Sequence, residues 1–433
     1  MPPAAHARRL GAAGVCVGLV LSSLFSSLVA CNAILGVEDV RLRRSRDAGE
    51  EEEEEPAPPD PEDEDAEPPG RPNVLQAALG EQHSCARKPD GTVRCWGDDL
   101  QGQTGSGGPA DGGLVLTPRD VGGVTDAIDI ASGRNHTCVA HQSGKVSCWG
   151  YNLDGQLGNG ESANRKSVPV EVVGITNAFA VAAGGNFSCA LRGSGSVACW
   201  GGNGSGQLGK GDQAPSTTPV AVPGLGGVVA IAAGQAHACA VASSGSVSCW
   251  GDGANGQLGS GQAVSSSSPV AVDNLTDAVM VAAAERSTCA VTRAGSVLCW
   301  GANELGQLGT GAANASPNPA PIVVANLSDA TSIWTGRNHA CAVRKTGAVV
   351  CWGAGARGQL GDGQSRPDAG GTQASFVTVS GIQTAIGVGA GGDHSCAPTK
   401  NDAIVCWGAN ERGQLGNATT TSELSPVSVQ GYP

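Results

Sequence analysis

One phrase returns seven times in this chain of 433 residues, most legibly as G-Q-A-H-A-C-A-V-A-S-S-G-S-V-S-C-W-G-D-G-A-N-G-Q-L-G over residues 234–259. The Trp after its second Cys marks the period: Trp96, Trp149, Trp200, Trp250, Trp300, Trp352 and Trp407 lie 53, 51, 50, 50, 52 and 55 residues apart. Each copy is built of short alternating segments between Gly turns. Seven such units predict a radial all-β array, a seven-bladed β-propeller over residues 74–433. The 67 Gly and 3% aromatic content fit a turn-rich chain rather than a helical one.

The local chemistry predicts four strands per copy. The first is small and apolar, as in Ala178-Phe179-Ala180-Val181-Ala182-Ala183, and suits a strand crowded near a common axis. The second and third form a hairpin. The two Cys of each copy are ten residues apart, and the turn centre midway between them is followed by Gly at 91, 144, 195, 245, 295 and 347. A turn closing through the left-handed region demands Gly there, because a Cβ is penalised at positive φ. The seventh copy instead offers Asn401-Asp402, the residue types that tolerate that region next best. The fourth strand, Pro-Val-x-Val as at Pro169 to Val172, reads as an edge, since Pro lacks the ladder N–H. The array enters in the small apolar strand and stops after the seventh Pro-Val-x-Val, so its ends are expected to meet as complementary parts of one ring.

Ahead of the array stand an address and a tether. Arg8 and Arg9 precede an uncharged run from Leu10 that ends in Leu28-Val29-Ala30-Cys31. This is a secretory signal over residues 1–30 that also resembles the bacterial lipoprotein signal, which makes Cys31 the lipidation candidate; an uncleaved membrane helix is the alternative. Asn32 after the Cys favours the outer membrane. Residues 31–73 then form an acidic Pro- and Glu-rich linker with six consecutive Glu from Glu50, too poor in apolar surface to order itself. Residues 1–73 carry 15 acidic and 7 basic side chains of a chain whose net charge is −13, and nothing in this balance attracts nucleic acid.

The phrases H-x-C-A, G-x-V-x-C-W-G and G-Q-L-G, in this order and spacing, resemble the repeat of the regulator of chromosome condensation family over residues 74–433. The resemblance implies a seven-bladed propeller. It implies no single function, because members include a nucleotide exchange factor for a GTPase, a plant ultraviolet photoreceptor and an exported bacterial inhibitor of β-lactamases. The last of these fits an exported chain best.

Of the 16 Cys, Cys16 falls in the signal and Cys31 is the lipid candidate. The other fourteen form seven pairs: Cys85 with Cys95, Cys138 with Cys148, Cys189 with Cys199, Cys239 with Cys249, Cys289 with Cys299, Cys341 with Cys351, and Cys396 with Cys406. Facing positions of a hairpin in an oxidising compartment predict one disulfide per blade. Reduced core thiols, as in cytosolic members of the family, are the alternative. Zinc is a third reading, disfavoured because the close C-x-x-C spacing is missing.

No catalytic constellation stands out, so neither catalysis nor a cofactor or metal is expected. His83, His136, His237, His339 and His394 recur two residues before the first Cys, which predicts hydrogen bonding between blades rather than chemistry. His141 is the one propeller His outside that column and is expected to be exposed and idle. The seven repeated Trp are expected to pack the blades. Trp334 differs: it stands where other copies carry Ala131, Ala182, Ala232, Ala282 or Gly389, and must either fill the channel or serve as a binding anchor. Copy-specific loops at residues 107–116, 162–167, 313–320 and 364–374 are the other seats of specificity. The reading is a monomeric, membrane-anchored platform for a protein partner or an inhibited enzyme. A glycan-binding lectin is the second reading, and nucleotide exchange a third if the chain is cytosolic.

Overall fold

The computed structural model of the protein describes residues 75–108, 113–366 and 371–432. The expected signal peptide, Cys31 and the linker lie outside the described residues, as do parts of two of the variable loops. Seven four-stranded antiparallel sheets follow one another along the chain, each using four consecutive strands in order. In the first, β1 (Gln76–Leu79), β2 (His83–Arg87), β3 (Val93–Asp98) and β4 (Leu114–Asp120) run from axis to rim. The first strands of successive sheets touch around the axis, the seventh returning to the first, so the seven-bladed propeller is the observed fold.

The hairpins are set as the sequence predicts. In every blade the two Cys sit directly opposite each other across strands two and three. Each facing pair is joined as a disulfide, with Cα atoms 4.0–4.1 Å apart. Cys85 is bonded to Cys95 in the first blade, Cys138 to Cys148 in the second and Cys189 to Cys199 in the third. The same bond joins Cys239 to Cys249, Cys289 to Cys299, Cys341 to Cys351 and Cys396 to Cys406 in the remaining four. The six turn glycines have φ between 73° and 93°, and Asp402 takes the position in the seventh blade at 58°. The Pro-Val-x-Val strands lie at the rim of their sheets. Neither end of the array lends a strand to the other's blade, so closure is the docking of two complete blades. Their seam uses the same contacts as the interior seams.

Those contacts explain the rest of the repeat. The Gln of each G-Q-x-G offers its backbone carbonyl to the next blade's Trp, as from Trp200 Nε1 to Gln156 at 2.9 Å and, across the closure, from Trp96 to Gln414 at 2.9 Å. All seven repeated Trp are fully buried. The final Gly lies flat on that indole: a Cβ on Gly158 would stand 2.6 Å from Trp200 Nε1. Beside the Trp, each columnar His reaches a hydroxyl of the following blade, in the pairs His83–Thr137, His136–Ser188, His237–Thr288, His339–Ser395 and His394–Ser84, at 2.8–2.9 Å. The hydroxyl proton goes to the Gln carbonyl, as from Ser188 to Gln156 at 2.9 Å. The hydroxyl therefore accepts from His Nε2–H, which fixes the tautomer.

Burial holds these imidazoles neutral, lowering His136, His237 and His339 to about 4 and His83 and His394 to about 3. Phe187 and Ser287 replace the His in two blades, and the residues that would face them are Ala238 and Ala340. Donor and acceptor are lost together, as expected if each exists for the other.

Candidate functional site

Strands one and three of a blade run in the same direction, so the turn after the first and the loop after the third emerge on one face. The described parts of the variable segments at 107–116, 162–167 and 364–374 therefore share a face with the inner turns, while Leu75 and the end of the last strand lie on the opposite face; the segment 313–320, expected as a loop, is instead most of a ten-residue fourth strand, Asn314–Val323, paired with the third strand of its blade. Exposed apolar side chains stand among the loops on this face, Leu100, Leu153 and Val264 being 43%, 53% and 64% accessible.

At its centre a funnel of about 560 Å³ opens on the axis. Its wall is the inner-turn column: Glu81, Arg134, Gly185, Gln235, Glu285, Arg337 and Gly392, one residue per blade. Backbone amides of this column bond to turn carbonyls of the next blade, as from Arg134 to Gly184 at 3.1 Å and from Gly392 to Gly80 at 3.1 Å. Among the described residues only the seam between the fifth and sixth blades lacks this bond, and there Ala284 replaces the turn glycine. A Cβ at the equivalent Gly234 would stand 2.2 Å from the next blade's carbonyl, which is the physical reason.

Glu81 binds two guanidinium groups from different directions. Arg134 of the second blade donates to it at 2.5 Å, and Arg337 of the sixth reaches it across the seventh blade. The crossing is open because the seventh blade contributes Gly392, whose Cβ would stand 2.5 Å from the Glu81 carbonyl oxygen. Glu285 and Asp393 flank Arg337 at 3.7 and 3.6 Å without a hydrogen bond. Asn338 Oδ1, also in this wall, is buried with no partner among the described residues.

Trp334 does not line the funnel. It lies opposite Cys341, is partly buried, and packs on the core shared by blades six and seven, which includes Ala385 and Val388. The seventh blade's inner strand is only Gly389–Ala390, so the large ring stands beside the thinnest inner strand.

His141 corrects the expectation of an idle residue. It is buried, with Nδ1 2.6 Å from Asp126 and Nε2 3.0 Å from Ser147 Oγ. The three polar groups have the order of a charge-relay site, but the same two columns hold Arg344 and Asp329 at 2.8 Å in the sixth blade. The pair thus ties a hairpin turn to the preceding loop, with Ser147 as its third member. The funnel residues escaped sequence reasoning. Their signal was a column, immediately after the recurrent strand-end glycine, whose charge changes from copy to copy.

Residues 32–329 match the model of the RCC1-like domain, and residues 331–359 and 385–414 match the regulator of chromosome condensation (RCC1) repeat. The chain belongs to the RCC1-like domain family. Among curated relatives, this RCC1-like propeller is 34% identical over 147 residues to the human probable E3 ubiquitin-protein ligase HERC6 and 31% identical over 147 residues to the ultraviolet-B receptor UVR8 of Arabidopsis thaliana. Each match covers 33% of this chain, but only 14% of the ligase and 33% of the receptor. Human WBSCR16 superposes with a TM-score of 0.69 at 22% identity, covering 78% of this chain and 94% of that one. Yeast RCC1 (Prp20), solved with Kap60 bound, gives 0.69 at 22%, covering 82% and 85%. These likenesses establish the fold of the RCC1-like propeller.

Proposed function

We propose that this RCC1-like propeller is a non-catalytic protein-binding module of a bacterial envelope, exported, held by a lipid on Cys31 and spaced from the membrane by its acidic linker. The observation that carries the reading is the asymmetry of the two faces. Variable segments and an open charged funnel share one face of a scaffold whose seams are bolted by repeated hydrogen bonds. Such loops on a rigid array are the ordinary seat of recognition. The yeast relative solved with a protein bound supports a protein rather than a small molecule as ligand. Glycan stacking has little support, because the repeated Trp are all buried. Trp334 enters the reading as an anchor through whatever part of its ring the seam leaves uncovered.

Crosslinking capture from intact cells tests this, with the full chain beside a Trp334→Ala variant. A stoichiometric protein partner is expected, and its loss in the variant assigns the anchor. Retention on cell-wall or polysaccharide fractions without a protein would overturn the reading in favour of a lectin. Fractionation of the cells decides export, and a cytosolic chain would revive the exchange-like alternative.

A further inference from the structure

We infer that the outer edge of the sixth blade is a docking strand, to which an extended backbone segment of the protein partner adds as a fifth strand; this rests on the protein-binding reading and names one way the partner is held. Six of the seven fourth strands carry Pro just before the residue that faces the second Cys: Pro118, Pro169, Pro219, Pro269, Pro321 and Pro426. The sixth blade, where Val377 faces Cys351, carries Phe376 at that position. The Val379 amide bonds to the Val349 carbonyl at 2.9 Å, so Val379 and Val377 turn their backbone groups toward the third strand. By alternation, Phe376 and Thr378 turn theirs outward. A Pro at the outward position has no N–H to offer and sets its ring in the path of an incoming strand. The fifth blade carries this guard at its fullest, with Pro317, Pro319 and Pro321 at alternate residues of its ten-residue fourth strand. The sixth presents the N–H and C=O groups of Phe376 and Thr378 unguarded.

The length of this edge decides its occupant. Toward the loop face the Ala374 carbonyl is already taken by the Gly311 amide of the fifth blade at 2.8 Å, and beyond the strand the Ser380 amide bonds to Gly361 at 2.9 Å. Phe376 and Thr378 are what remains between them. Two rigid copies of the chain meeting along so short an edge fall short of the roughly 1,000 Å² that a stable interface needs. A slender peptide is not so confined, because it can pair with both residues and continue along the rim past Thr372, where the strand begins. Main-chain pairing recognises an extended conformation without Pro at the paired positions. Side chains add a preference: Phe376 and Val377 are partly buried apolar groups that pack on the cores at opposite faces of the sheet. Alternate β-branched residues of the incoming strand would lie against both.

The test titrates the full chain with the hexapeptide acetyl-Lys-Val-Thr-Val-Thr-Lys-amide and with its analogue N-methylated at the four central residues, followed by amide NMR and hydrogen exchange. The first is expected to shift the Phe376 and Thr378 amides and to slow the exchange of Thr378, and the analogue to do neither. Phe376→Pro restores the guard and is expected to weaken binding by about tenfold, the equivalent of one hydrogen bond. Because Phe376 also packs on the core shared by blades five and six, the melting temperature of this variant is checked against the parent. Pro426→Phe supplies the converse: it frees the edge of the seventh blade and should raise the stoichiometry from one peptide to two. Thr378 exchange that stays fast up to about 10 mM peptide, the weak limit for so short a ladder, overturns the inference. So does equal binding of the N-methylated analogue, binding that a folded Phe376→Pro variant leaves unchanged, or a Thr378 amide covered in the free chain by a dimer that sedimentation detects. If Phe376→Pro melts early, an unchanged stoichiometry in Pro426→Phe overturns it instead. Run beside the cell capture, Phe376→Pro separates the two claims: a partner held with undiminished affinity sinks the docking strand but leaves the binding module standing.

Discussion

His394 of the last blade lies 2.8 Å from Ser84 of the first, so the ring is closed by the same His-to-hydroxyl bond that joins four of its six interior seams. Tyr432 adds a contact special to the closure. Its ring meets Trp96 at 6.3 Å between centroids, with the Arg94 guanidinium 6.0 Å from it, while Arg94 also donates to the Gly431 carbonyl at 3.2 Å.

Ser84→Ala removes the acceptor and leaves a buried His394 N–H unpaired, for an expected loss of about 1–3 kcal/mol. The double variant Ser84→Ala/His394→Phe reproduces the Phe187–Ala238 seam and is expected to recover at least about 1 kcal/mol of that loss by the energetics of a lost hydrogen-bond pair. Urea denaturation of the four members of the cycle measures the coupling. A coupling of zero would falsify the seam role given to the column.

Stability is expected to fall in mild acid. Each columnar His titrates near 6.5 when unfolded but only at about 3 or 4 when folded, so below pH 6.5 the unfolded chain binds more protons. The stabilisation is complete above pH 6.5 and is lost progressively as pH drops toward 4. By pH 5 each buried His costs about 2 kcal/mol relative to neutral pH. Denaturation midpoints between pH 8 and pH 4 check the slope, and the His136→Phe variant should flatten it.

The turn glycine and the columnar His occupy shared space. A Cβ on Gly391 would stand 2.5 Å from both His394 Cε1 and the Gly80 carbonyl oxygen. Gly391→Ala is therefore expected to destabilise by about 2–4 kcal/mol, the range of overpacking in a closed core. The fifth blade has already changed both positions, to Ala284 and Ser287. Ser287→His alone should be poorly tolerated there, and adding Ala284→Gly should restore part of the loss in thermal melts.

All fourteen disulfide sulfurs, from Cys85 and Cys95 in the first blade to Cys396 and Cys406 in the last, belong to buried residues. Replacing Cys239 and Cys249 together by Ala is expected to cost about 2.5–3 kcal/mol by the loop-closure relation. The native protein should consume no alkylating reagent over residues 74–433 until it is unfolded and reduced. Intact-mass measurement reads both states, and alkylation of the folded chain without reductant would contradict the pairing.

The sequence by itself determined whatever is local to one copy. Ten residues from Cys to Cys, with Gly just past the midpoint, fix the hairpin because a tight reversal has few backbone solutions. The seven-fold count follows from the Trp spacing, and the His column announced its seam role by its repetition. Even the paired absences, Phe187 with Ala238 and Ser287 with Ala340, could have been read by comparing each copy with the next. Only the tertiary structure decided what crosses the axis. Arg337 and Glu81 are 256 residues apart, and their bond depends on ring closure, on a long side chain and on Gly392 between them. Trp334 likewise rests on the core of a neighbouring blade rather than in the channel, because the short inner strand of the seventh blade lies beside it. Repetition makes one blade predict the next, but the ring's centre is where the copies differ, and their meeting is set by geometry that no single copy contains.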